Sequence, residues 1–309
     1  MSEQLPSGAA PVDSPVDTGV IHNIGYRSYQ GPRLGRGYAT RSLYVQSLRA
    51  AYGLGRSGKS KVLPMLVASA LTAAAVVIVA IGLFLQGPVK TDLFPVDYAQ
   101  FLSAFGVLVQ IFVAAQAPVL MSRDLRHHTV PLYFSRPITR GDYVRAKFAA
   151  MTSAMLLMTV TPLLVLYLGS ILGGLPLGKN TGHFLQGLAV AVVLSVLYAA
   201  LGLAISALTP RKGFGVAAIM GVLVVSQPVA AIFYVLIGGN RIDPPESAHW
   251  AFLLSPTNAA EAMLNQLLDI RTAGPLTAPD GIGVVVFALA VAAMIGGSYW
   301  ALLRRYRKI

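Results

Sequence analysis

The chain has 309 residues, of which 55% are hydrophobic and only 12% are charged. Soluble globular proteins carry about a quarter charged residues, so this composition indicates a protein whose solvent is lipid. A net charge of +12 also suits a nucleic-acid binder, so the placement of the charges has to decide between the two. The chain has no cysteine, which excludes disulfide bonds, thiolate metal sites and a cysteine nucleophile.

The first 36 residues are polar and rich in Gly and Pro, without the apolar run of a signal peptide. We expect residues 1–36 to form a disordered cytoplasmic tail and residues 37–309 to form one membrane domain. Residues 40–52 then follow a helical pattern, with one apolar face made by Leu43, Tyr44, Leu48, Ala51 and Tyr52. Such a face with basic flanks predicts an N-terminal helix lying in the cytoplasmic membrane interface, and an ordinary cytosolic helix is the alternative.

The segment from Gly53 to Ser60 fits the phosphate-binding pattern G-x-x-x-x-G-K-[ST] letter for letter. That loop binds phosphate when it joins a buried strand to a helix N-terminus. Here a predicted helix precedes the segment and an apolar stretch begins at Val62. We therefore interpret it as a basic joint at the membrane surface, and expect this chain to bind no cofactor of its own.

Six apolar stretches follow the joint, and none contains Asp, Glu, Lys or Arg: residues 62–86, 101–121, 148–172, 184–208, 214–237 and 282–303. A helix needs about 20 apolar residues to cross a hydrocarbon core of about 30 Å, and each stretch is that long. The sequence therefore predicts an all-α membrane protein with six transmembrane helices.

The positive charges orient these helices. Twenty of the 24 lysines and arginines lie before the first stretch, after the second, after the fourth or after the sixth. Cytoplasmic loops carry such an excess of Lys and Arg, so we predict that both termini are cytoplasmic. Because the charge follows the membrane topology, nucleic acid is not an expected partner.

The long external loop, residues 238–281, contains its own helix signal. Ser255 and Pro256 are typical of an N-cap followed by proline at the first helical position. Apolar residues continue at helical spacing, at Ala260, Met263, Leu264, Leu267 and Leu268. This pattern predicts a helical outer segment before the sixth span that either re-enters the outer leaflet or caps the spans.

The cytoplasmic loop after the second span, residues 122–147, has charged ends and an apolar middle. Exposed apolar residues between charges are typical of a docking surface. Thr139, or Gly141 with Asp142, is expected to cap the helix that enters the third span. The spans themselves contain no Asp, Glu, Lys, Arg or His, which disfavours proton-coupled or ion-coupled transport and catalysis inside the membrane.

This loop resembles that of a known family. The loop is similar to that of the membrane-spanning subunit of type-2 ABC transporters, the exporter-type permeases. The resemblance lies in Asp124, in a short apolar helix after it, and in the pattern S-R-P-I-[ST]-R-x-x-Y-x-x-x-K. The residues that match this pattern are Ser135, Arg136, Pro137, Ile138, Arg140, Tyr143 and Lys147. The order of the predicted helices along the whole chain is similar to that family as well. The polar tail is longer than the family needs.

The resemblance implies a cytoplasmic coupling helix between spans two and three, near residues 128–135, that docks on a separate ATP-binding subunit. The residues expected at that contact are Val130, Leu132, Tyr133, Phe134 and Arg136. Two copies of the ATP-binding subunit would bind ATP and Mg²⁺, and a second permease chain, identical or related, would complete the transporter. The resemblance also implies an exporter in the plasma membrane, and the excess of Arg over Lys suggests a bacterial source.

In the family the second and fifth spans line the substrate pathway. The polar residues there are Gln100, Ser103, Gln110, Gln227 and Tyr234, of which the first three fall on one stripe of a regular helix. Helix–helix packing in lipid explains the same residues equally well. Three rival functions stay open: a secondary transporter, a membrane-embedded enzyme and a scaffold without an ATPase partner.

The six-span topology makes a direct prediction. Reporter fusions after Lys179 and between Asp243 and His249 should give an external signal, whereas fusions at Arg126 or after Lys308 should give a cytoplasmic one. The measurement is the activity of a paired periplasmic and cytoplasmic reporter. A cytoplasmic signal at Lys179 would overturn the topology.

Overall fold

The computed structural model describes residues 31, 34–55, 57–86, 97–121, 124, 133, 138–209, 211–239, 244–270 and 274–307. Within these residues the regular structure is entirely helical, which confirms the all-α part of the predicted fold class. The α-helices are α1 (Arg36–Ala51), α2 (Lys59–Gln86), α3 (Tyr98–Ala104), α4 (Gly106–Leu120), α5 (Arg140–Leu172), α6 (Leu177–Leu208), α7 (Lys212–Met220), α8 (Ser226–Gly238), α9 (Glu246–His249), α10 (Pro256–Leu267) and α11 (Ile282–Arg307).

Among the described residues, five helical segments are long and apolar enough to cross a membrane: Lys59–Phe84, Arg140–Leu172, Leu177–Leu208, Gly213–Gly238 and Ile282–Arg307. The pair α3 and α4 passes the same test together but is bent by 57°, and counting this pair as one span brings the number to six. The predicted second span, residues 101–121, is therefore not one regular helix. The break falls at Phe105, directly before Gly106, whose missing side chain makes a continuous helix less favourable.

The fifth apolar segment is continuous but irregular. Between α7 and α8, residues Gly221–Val225 form a π-helical turn. Pro228 has no backbone N–H to donate toward the preceding turn, so the helix needs a local adjustment there. The Ser226 hydroxyl donates to the carbonyl of Val222 at 2.6 Å, and the Gln227 amide donates to the carbonyl of Leu223 at 2.6 Å. Side chains thus bind backbone carbonyls around the turn, as an apolar solvent requires.

The first helix packs against α5. It begins at Arg36, four residues before the predicted start, and its Leu43 and Ala51 side chains are buried. The Tyr44 hydroxyl bonds the Ser153 hydroxyl at 2.9 Å, and the Tyr52 hydroxyl donates to the carbonyl of Ala154 at 2.8 Å. The apolar face that was expected to contact the membrane surface therefore contacts protein, because α5 extends far enough beyond the apolar core to cover it.

The phosphate-loop look-alike joins two helices. The residues described between α1 and α2 form a turn in which Gly53 and Gly55 adopt φ angles of +68° and +80°. A nucleotide-binding loop of this pattern follows a β-strand, whereas this turn follows the helix α1. The geometry is that of the joint inferred from the sequence.

Gly53 and Gly55 provide a matched test of this joint. Both have left-handed φ angles, which cost an L-residue about 1–2 kcal/mol. A Cβ atom at Gly53 would also collide with the backbone carbonyl of Ser60, whereas one at Gly55 meets no atom within 4 Å. We expect Gly53→Ala to lower the melting temperature of the purified protein clearly more than Gly55→Ala. Equal melting temperatures for the two variants would contradict the close approach.

Candidate functional site

The cytoplasmic end of α5 holds a buried ion pair. The side chain of Lys147 is 7% exposed, and its ammonium group lies 2.9 Å from a carboxylate oxygen of Asp124, whose side chain is 14% exposed. The Tyr143 hydroxyl donates to the same carboxylate at 2.8 Å. An ion pair with an additional hydrogen bond at low exposure is geometrically specific, and removing one partner strands the other charge. This pair ties the beginning of the 122–139 loop to α5.

Aromatic rings extend this cytoplasmic cluster. The Tyr143 ring lies 5.5 Å from the Tyr133 ring and 5.1 Å from the Tyr306 ring, measured between centroids. The Tyr306 hydroxyl donates to the sulfur of Met121 at 3.4 Å. The cluster therefore joins the loop, the end of α4, the start of α5 and the last turns of α11.

The N-terminus of α5 is held from two sides. Thr139 is the N-cap, and its side chain and that of Asp142 form a reciprocal capping box, which selects Thr139 from the two predicted caps. The guanidinium of Arg36 on α1 binds both oxygens of Asp142, at 2.5 and 2.9 Å. This fork fixes the orientation of α1 against α5.

The expected coupling residues are only partly located. Tyr133 is half-buried and packs on Tyr143 of its own chain. The other four, Val130, Leu132, Phe134 and Arg136, lie outside the described residues. Of the family motif, Asp124, Tyr143 and Lys147, which are separated along the chain, meet in a single cluster.

A second polar cluster lies beneath the helical outer segment. Gln110 on α4 is 1% exposed; its amide nitrogen donates to the hydroxyls of Tyr198 at 3.1 Å and of Thr257 at 3.3 Å. Its amide oxygen accepts from the Gln227 nitrogen at 2.9 Å. The hydroxyls of Ser226 and Ser255 bond each other at 3.0 Å. Four helices, α4, α6, α8 and α10, thus meet at one hydrogen-bond network.

The outer helix α10 has the N-cap that its sequence predicts. The Ser255 side chain accepts from the backbone nitrogen of Asn258 at 3.4 Å, and Pro256 occupies the first turn. Ala260, Met263 and Leu264 are buried as expected. Leu267, which was expected on the same buried face, is 64% exposed because it lies in the last turn, where α10 ends.

The predicted stripe of Gln100, Ser103 and Gln110 on the second span is interrupted. Gln110 and Gln227 are bonded to each other, whereas Ser103 bonds Glu261, and the break at Phe105 puts Gln100 and Ser103 on a different helix axis from Gln110. Gln100 is half-buried. Tyr234 stacks on Phe252 with ring centroids 5.0 Å apart, so its ring packs against the outer segment.

Sequence reasoning missed Glu261. Its carboxylate accepts a hydrogen bond from the Ser103 hydroxyl at 2.9 Å. Burial raises the pKa of Glu261 to about 7, and the Ser103 hydrogen bond opposes that rise. The available signal was local, because an acidic residue surrounded by alanines on the buried face of a capped helix needs a partner. Among the described residues, no group of His, Asp and Glu side chains has the spacing of a metal site.

Part of the chain matches a known protein family. Residues 50–300 match the family model described as ABC-2 family transporter protein. No curated protein matches the chain. The matched range includes Asp124, Tyr143, Lys147 and the hydrogen-bond network of Gln110, and it runs from the end of α1 to most of α11, with Tyr306 beyond it.

The buried ion pair makes a stability prediction. Lys147→Met removes the cation and leaves the Asp124 carboxylate buried, which typically costs about 3–5 kcal/mol. The matched control is Arg145→Met on the exposed face of the same helix, which should change little. We expect a large loss of thermal stability for the first variant only, and partial recovery when Asp124→Asn is added. A Lys147→Met protein as stable as the Arg145→Met protein would contradict the ion pair.

Proposed function

Because the chain belongs to the ABC-2 transporter family, we propose that it is the membrane-spanning permease subunit of an ATP-driven exporter. Proteins of this family work with an ATP-binding subunit, so we place ATP, Mg²⁺ and hydrolysis in a partner chain that is present in two copies. The chain is a multi-pass membrane protein, and its transport role needs no catalytic residue of its own. We place it in the bacterial plasma membrane with both termini cytoplasmic.

The observation that carries this proposal is the Asp124–Tyr143–Lys147 cluster. A permease whose energy comes from a separate ATP-binding subunit must transmit motion from a cytoplasmic loop to its spans. The cluster fixes one end of that loop to α5 through an ion pair at 2.9 Å and a hydrogen bond at 2.8 Å. Since α5 packs against α1, α2 and α6, a displacement of the loop would be passed to several helices.

Within the loop, we assign two roles to the apolar residues. Leu132 and Phe134, with Val130 and Arg136, form the surface that enters the ATP-binding subunit. Tyr133 anchors the loop on its own chain, because its half-buried ring packs on Tyr143. The loop would then have one side on the permease and one side on the partner.

We place the substrate pathway along the second and fifth spans of two paired permease chains. Gln110 and Gln227 supply its polar contacts on this chain, with Gln100, Ser103 and Tyr234 closer to its outer end. The outer segment would cover this end, since Thr257, Asn258 and Ser255 of α10 and its cap bond groups of the fifth span.

The docking assignment is tested by paired alanine variants. Phe134→Ala should reduce co-purification of the ATP-binding subunit and lower ATP hydrolysis by the complex, because truncating a central aromatic anchor costs about 2 kcal/mol or more. Tyr133→Ala should reduce hydrolysis as well, by loosening the loop from α5.

The control is Arg126→Ala, a charged residue of the same loop placed at the rim, where ion pairs contribute about 0–1 kcal/mol. All three variants should reach the membrane at wild-type levels. If the double variant of Tyr133 and Phe134 assembled and hydrolysed ATP normally, the coupling role of this loop would be refuted.

A further inference from the structure

Glu261 is a buried acid that has no basic partner among the described residues. Its side chain lies on α10 among the fully buried Ala259, Ala260 and Ala262, and the residue is 6% exposed. Asp97, Asp124 and Asp142 each have a basic residue nearby. Within the part of the chain that the structure describes, Glu261 forms no ion pair, and its carboxylate accepts a hydrogen bond from the Ser103 hydroxyl at 2.9 Å. A buried carboxylate with one hydroxyl partner is unusual enough to mark a functional site.

The surroundings leave this carboxyl group able to change charge near neutral pH. Burial raises the pKa of Glu261 to about 7, and the hydrogen bond from Ser103 lowers it in part. The Tyr198 phenol on α6 interacts electrostatically with Glu261. A neutral phenol supplies no positive charge, and no Lys, Arg or His of the described residues forms an ion pair with Glu261, so nothing in that part of the chain balances the ionised carboxylate.

The hydroxyl that contacts Glu261 is accessible. Ser103 is an exposed residue in the last turn of α3, two residues before the break at Phe105. A ligand group that contacts the exposed Ser103 hydroxyl is therefore separated from the buried Glu261 carboxylate only by the Ser103 side chain. Gln100, one turn earlier on α3, is half-buried and adds a polar amide to the same stretch.

We propose that Glu261, with the Ser103 hydroxyl, binds the positively charged group of a transported organic cation. This assignment rests on the proposed export function, since it gives the substrate class of the pathway along the second span. One carboxylate and one hydroxyl favour an organic cation over a strongly hydrated metal ion, because the latter would give up its water for too few oxygen ligands. The cation binds the ionised carboxylate and competes with a proton for it.

The probe is tetraphenylphosphonium, and tetraphenylborate is its control of equal shape and opposite charge. Binding to the purified full-length permease is measured by equilibrium dialysis between pH 6 and pH 8, without any ATP-binding subunit. Tetraphenylphosphonium should bind about tenfold more tightly at pH 8 than at pH 6, because a group with a pKa near 7 is mostly ionised only at the higher pH. Tetraphenylborate should show no such rise.

Three variants assign the effect to the site. Glu261→Gln should lower the affinity for tetraphenylphosphonium about tenfold at pH 8 and remove the pH dependence. Glu246→Gln, an exposed acid in the same outer segment, should bind as wild type does. Ser103→Ala should keep binding at high pH but move its midpoint to higher pH, because the lost hydrogen bond had stabilised the ionised form.

Wild-type pH dependence retained in Glu261→Gln, or no binding of tetraphenylphosphonium by the wild-type protein, would overturn the proposal. A Ser103→Ala midpoint that stays in place would overturn the role of the hydroxyl. These outcomes are separate from the export function: failure of the ATP-binding subunit to assemble with the permease would refute the latter while leaving the dialysis result intact.

Discussion

In a hydrocarbon solvent every polar group has to find its partner inside the protein, and this requirement explains the irregular parts of the structure. The π-helical turn before Pro228 has its carbonyls bonded by the side chains of Ser226 and Gln227. The amide of Gln110 is surrounded by Tyr198, Thr257 and Gln227. Lys147 is neutralised by Asp124. Some of these polar groups bond a carbonyl of their own helical segment, as Ser226 and Gln227 do, and others bond a partner from another part of the chain, as Gln110 and Lys147 do.

Two polar clusters result, one at the cytoplasmic start of α5 and one beneath the outer segment. The last helix touches both: α11 packs against α10, and its Tyr306 contacts the Tyr143 ring. In an ATP-driven permease such a continuous helix is a direct physical connection between the loop that receives force and the segment that covers the pathway. The hydrogen bonds of Gln110 and Gln227 would then hold the outer segment in the arrangement seen in this structure.

Glu261 changes one conclusion that was drawn from the spans alone. The six apolar stretches contain no Asp, Glu, Lys, Arg or His, which argued for an energy source in a partner chain. The outer helix nevertheless brings a carboxylate against α3. Since the chain belongs to the ABC-2 family, we propose that a partner chain supplies the energy and that the acid takes part in substrate recognition.

The sequence by itself indicated the apolar segments, the charge asymmetry, the Ser255 cap, a cap at either Thr139 or Gly141 with Asp142, and the motif whose Asp124, Tyr143 and Lys147 resemble the family. Composition, period and short motifs are sufficient for such features. Tertiary structure decided what the polar residues contact. The bend at Phe105 places the residues of the predicted stripe on two helix axes. Helix α5 covers the face of α1 that was expected to meet lipid. The Glu261 carboxylate bonds the hydroxyl of Ser103, 158 positions away in the sequence. Such pairings depend on how separate helices pack, and no local pattern encodes the distance between two helices.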